Sequence, residues 1–70
     1  MNANQVDIFD YLLMGQEKKA KDMMRKLIKE NMGFEEMSKL TGIPSKSIHR
    51  MLSYHGNPTT HNLFLIARNL

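Results

Sequence analysis

Seventy residues without a cysteine make one small domain rather than two, and exclude a disulfide scaffold or a thiolate metal site. A composition of 41% apolar and 24% charged residues is globular, with no apolar run near the ~20 residues of a membrane span and no signal-peptide pattern, so a cytoplasmic domain without a membrane partner is expected. The net charge of +3 is unevenly placed: residues 1–36 carry six basic and seven acidic side chains, whereas Lys39, Lys46, Arg50 and Arg68 follow Glu36 with no acid among them, the asymmetry of a polyanion binder.

Asn4 and Asp7 resemble a capping pair, and Val6, Ile8, Phe9, Leu12 and Leu13 recur with helical spacing before Gly15, which predicts a first helix from Asn4 to Met14. That helix either braces the core or offers Phe9, Tyr11 and Leu12 to a partner, and a small domain with few other sources of buried area favours the core. From Gln16 to Asn31 the stripe Ala20, Met23, Met24, Leu27 and Ile28 predicts an amphipathic helix, with Lys18, Lys19, Lys21, Asp22, Arg25, Lys26 and Lys29 outside it on a solvated face. The pairs Glu17/Lys21 and Asp22/Lys26 sit one turn apart and would each add only ~0.2–0.5 kcal/mol, so packing of the stripe must hold this helix.

Asn31-Met-Gly33 supplies a stop, and a third helix follows from Phe34 to Thr41, with Met37 and Leu40 expected to point inward and Glu35 and Glu36 in the first turn, where the helix dipole favours acids. Gly42 supplies a positive-φ turn, Ile43 plugs the corner, and Pro44 and Ser45 start a fourth helix whose Ile48, Met51 and Leu52 share one buried face. Its opposite face carries Lys46, His49, Arg50 and Ser53, all hydrogen-bond donors. Two short helices meeting at a glycine turn, the second with a donor-rich outer face, are the grammar of a helix-turn-helix that enters a DNA groove. The turn formers Ser53-Tyr-His-Gly-Asn-Pro58 end that unit, Thr59 or Thr60 caps a last helix, and Leu63, Ile66, Ala67 and Leu70, with Phe64, give it an apolar stripe. The fold class expected is all-α, a five-helix bundle formed by residues 1–70 as a single DNA-binding domain.

The run from Gly33 to Ser53, followed by Gly56-Asn-Pro58 and the Leu63-x-x-Ile66-x-x-x-Leu70 helix, resembles the Cro/C1-type helix-turn-helix family. Within it, the chain is most similar to the addiction-module antidote proteins, the HigA-type antitoxins. The resemblance implies a lambda-repressor-like domain that represses its own toxin–antitoxin promoter, neutralises a RelE/HigB-like toxin, and is usually a dimer. Ser45, Lys46 and Arg50 match recognition-helix positions that read bases in double-stranded DNA, and Ser47 and Asn57 match positions that contact phosphate. Ser38 stands where alanine is usual, and Glu36 where glutamine or another donor is common, so an acid lies near the expected phosphate path.

By chemistry alone, Arg50 can fork onto guanine O6 and N7, worth ~1–3 kcal/mol of discrimination, and Lys46 can make a looser contact. Asn57 and the amides at the start of the last helix can position a phosphate. Together with the positions that the resemblance implies, the candidate DNA-binding set is Ser45, Lys46, Ser47, His49, Arg50, Asn57 and Thr59. His49, His55 and His61 recur at a spacing that puts no two on one helical face, so no metal is expected, and Met23, Met24, Met37 and Met51 read as core filler. No nucleophile elbow, P-loop or His-Glu metal helix is visible, so neither an enzyme nor a cofactor is expected. Two alternatives remain open: a toxin-neutralising or adaptor module with weak or no DNA binding, and a stand-alone phage-type repressor.

Overall fold

The computed structural model describes residues 3–70. Five helices follow one another: α1 (Ala3–Leu13), α2 (Glu17–Asn31), α3 (Phe34–Thr41), α4 (Ser45–Met51) and α5 (Thr60–Ala67), and among the described residues there is no strand. The boundaries follow from local chemistry. Gln16 N–H donates to Tyr11 O at 2.8 Å and Gly15 N–H to Leu12 O at 3.1 Å, the paired bonds of a Schellman stop, so α1 ends before Gly15 and the chain folds back into α2. Gly33 N–H reaches back to Ile28 O at 2.6 Å, and Gly33 O accepts from Met37 N–H at 3.2 Å, so one residue ends α2 and starts α3. Thr59 caps α5, its hydroxyl accepting from Asn62 N–H at 3.2 Å.

All five helices feed one core. Ile8 comes from α1; Ala20, Met24, Leu27 and Ile28 from α2; Met37 from α3; Ile48 from α4, with Leu52 just beyond it; and Leu63, Ile66 and Ala67 from α5. Burying each larger side chain contributes about 1.5–3 kcal/mol as an upper bound, and in so small a domain the loss of any one is a large fraction of the whole.

Four expectations about faces are corrected. Leu40 is 49% exposed, because the inward line of α3 runs through Phe34, Met37 and Thr41 and leaves Leu40 at its edge. Val6 and Leu13, at 40% and 86% exposed, lie across α1 from Ile8, so its apolar pattern is wider than the face its neighbours cover. Lys21 is only 3% exposed and belongs to the interior rather than to a solvated face. Asp22 pairs with Arg25, three residues on, instead of Lys26, and the inward turn of Lys21 removes it from Glu17.

Candidate nucleic-acid interface

The α3–α4 corner is built by three residues in succession. Thr41 Oγ1 donates to Met37 O at 2.8 Å and accepts from Ile43 N–H at 3.2 Å, so one hydroxyl ties the end of α3 to the turn. Gly42, at φ 76° and ψ 6°, is left-handed and donates to Ser38 O at 2.8 Å; a side chain here would cost about 1–2 kcal/mol of backbone strain. Ile43 packs against the core, and Pro44, at φ −56°, presets the entry to α4, where Ile48 N–H donates to Pro44 O at 3.1 Å.

With Ile48 and Leu52 buried, the helical period turns Lys46 and Arg50, one turn apart, to solvent, and both are exposed. Ser45, three residues before Ile48, lies on a half-buried flank, and Ser47 is half-buried as well. His49 is exposed at its edge, but its ring stacks on Phe34 with centroids 3.7 Å apart and planes 18° from parallel. That contact joins α4 to the first residue of α3. Ser53 Oγ donates to Arg50 O at 2.7 Å, so this hydroxyl closes the helix end. Asn57 and Thr59 are exposed beyond the turn, with Thr59 engaged as the cap of α5. Lys39 is exposed on α3, as are Glu35 and Glu36 in its first turn. Among the described residues no three His, Cys, Asp or Glu side chains cluster as metal ligands.

Behind this surface lies a support contributed by α2. Lys21 reaches from α2 beneath the end of α4, and its Nζ donates to Ser53 O at 3.0 Å, Gly56 O at 2.9 Å and, more weakly, Tyr54 O at 3.4 Å. A cation at the carbonyl end of a helix also complements the helix dipole. Beside it, Lys18 Nζ sits 3.9 Å from the Tyr54 ring centroid and donates to the Tyr54 hydroxyl at 2.7 Å. Gly56 is obligatory for a steric reason: a Cβ there would lie 2.5 Å from Met51 O and closer still to Arg50 O. The signal for Lys21 was present in the spacing, since it stands two turns before Ile28 and therefore in line with a buried position. Compared with family models, curated proteins and solved structures, the chain matches none of them.

Proposed function

We propose that the chain is a sequence-specific DNA-binding domain of the helix-turn-helix, lambda-repressor-like kind, acting as a transcriptional repressor. In this reading α4 enters the major groove, Arg50 forks onto a guanine edge, Lys46 makes a single-point contact, and Ser45 and His49 flank the bases. Ser47, Asn57 and Thr59, with the first amides of α5, hold the phosphate backbone. The observation that carries the reading is the pair Lys46 and Arg50, exposed one turn apart on α4 and opposite the buried Ile48 and Leu52, in a half of the chain that has no acid. The finer reading, an antitoxin that binds its own promoter and neutralises a RelE/HigB-like toxin, is supported by the motif resemblance alone.

Titration of the DNA fragment upstream of the gene between about 50 and about 200 mM salt tests it. Tight, salt-sensitive binding that Arg50→Ala and Lys46→Ala weaken selectively relative to random DNA is the expected result. Equal, weak affinity for both DNAs, unchanged by either substitution, would overturn it.

A further inference from the structure

The turn that follows α4 faces the start of α2, and between them lies an open cleft of about 590 Å³. Its wall carries Lys18 and Lys19 from α2 and Tyr54, His55 and Asn57 from the turn, with Glu17 as its one carboxylate. The carbonyl oxygens of Ser53, Tyr54 and Gly56, which would repel an anion, all turn to the Lys21 ammonium and are neutralised there. The Lys18 ammonium is held by the ring and the hydroxyl of Tyr54. That hydroxyl takes one of its three N–H bonds, so the other two are preorganised for an acceptor from outside. Lys19, beside it, is exposed and has no partner among the described residues. The amides of Tyr54 and His55, central in the turn that Gly56 N–H closes on Ser53 O, meet no acceptor among the described residues either.

We propose that this cleft holds a phosphate of the DNA backbone, on the strand that passes Asn57, so that the DNA-contacting surface extends beyond the helix-turn-helix to the start of α2. The inference rests on the DNA-binding reading above and adds two contacts to it, Lys18 and Lys19. Continuity selects a polymer over a small anion. Asn57 is exposed on the wall of the cleft and is also the residue assigned to phosphate beside α4. Gly56, next to it, packs so closely on the end of α4 that a Cβ would lie 2.5 Å from Met51 O, so the cleft abuts the recognition helix. Charge selects the same occupant: two lysines with unspent donors face Glu17 alone, because Asp22, one turn after Lys18, is paired with Arg25.

Anisotropy titration of the full chain with the upstream duplex and with a random duplex, from about 50 to about 200 mM salt, tests this. Lys19→Gln should weaken both duplexes alike and flatten the slope of log K against log salt by about 0.9. The wild type then loses about three- to fourfold more affinity than the variant across that range. Lys18→Gln should do the same, and Lys19→Arg, which keeps the charge, should restore the wild-type slope. Lys26→Gln removes the same charge two turns further along α2, outside the cleft, and should leave the slope unchanged. Equal slopes for wild type and Lys19→Gln, or an equal flattening by Lys26→Gln, would overturn the proposal. So would His55 and Asn57 amide resonances that saturate with inorganic phosphate at constant ionic strength while the DNA slope ignores Lys19, which would assign the cleft to a free phosphate compound. A response of those resonances to a glutamate-rich peptide and not to DNA would overturn it too, in favour of an acidic segment of another protein. Lys19 acts on random DNA as much as on the upstream duplex, whereas base reading shows only in the difference between the two and in Arg50→Ala. Either reading can therefore fail while the other stands.

Discussion

The Lys21 ammonium lies 2.9 Å from the Gly56 carbonyl oxygen and 3.0 Å from that of Ser53, so a single buried cation on α2 holds the segment joining α4 to α5. Ser53 O also accepts from Gly56 N–H at 3.0 Å, which makes the turn and the lysine one hydrogen-bonded unit. Replacing Lys21 by methionine keeps the packed stem but strips the donors from these carbonyls. Hydrogen bonds to a charged group are worth ~1.5–3 kcal/mol, so Lys21→Met should cost about 2–4 kcal/mol in urea unfolding. Hydrogen exchange at Ser53 and Gly56, whose amides are bonded within this turn, should quicken more than at Met37 in the core. Equal quickening at all three amides would mean that Lys21 acts only on global stability.

Gly56 and Gly42 should respond differently to alanine, although both are turn glycines. At Gly56 the new methyl meets the Met51 carbonyl at 2.5 Å and the Arg50 carbonyl more closely, and backbone cannot step aside as a side chain can. At Gly42 nothing lies within 4 Å, so only the left-handed backbone is strained. Gly42→Ala should cost about 1–2 kcal/mol, and Gly56→Ala about 3 kcal/mol or more. Thermal melts of the two variants side by side check the order, and a milder loss at Gly56 would refute the steric account.

The stacking of His49 on Phe34 gives the histidine a structural share in what the helical period alone makes an outward-facing position. Aromatic pairs of this kind are worth ~0.5–1.5 kcal/mol beyond their area, so a double-mutant cycle of Phe34→Leu and His49→Ala should show a coupling of about 1 kcal/mol. No coupling would mean that the ring contact adds nothing to stability and would leave His49 only the role proposed for it at DNA.

Helix ends in this chain were legible because the residues that stop helices act locally. Gly15, Gly33 and Gly42 end α1, α2 and α3 within a residue of where the pattern predicts, and Thr59 caps α5 with its own hydroxyl. Faces were less legible, since a stripe reports how apolar a helix is, not which neighbours cover it. Leu13 continues the apolar pattern of α1 but lies outside the arc that the core occupies, and Leu40 does the same on α3. Lys21 falls in line with Ile28 by its spacing, but what lets a charged side chain sit there, the backbone carbonyls of Ser53 and Gly56, lies more than thirty residues away and leaves no mark in the sequence around it. Of the candidate site, the outward pair Lys46 and Arg50 was legible from the period of α4, whereas the ring contact that engages His49 depends on how α3 meets α4.

Arg50 and Asn57 should fail in different ways if α4 reads DNA. Arg50 stands on the outer face of the helix, where a forked contact to one guanine is worth ~1–3 kcal/mol, so Arg50→Ala should weaken the specific site about tenfold to a hundredfold and leave random DNA little changed. Asn57, exposed just before the α5 cap, would meet phosphate, and Asn57→Ala should weaken specific and random DNA alike. Glu36, exposed in the first turn of α3, opposes any phosphate there, so Glu36→Gln should tighten both by several-fold. It should also steepen the fall in affinity with salt, since removing a repelling charge lets more counterions be released. Anisotropy titrations with matched specific and scrambled duplexes separate the three cases. An Arg50→Ala loss that is equal on both duplexes would reduce that guanidinium to a phosphate contact and move base reading elsewhere.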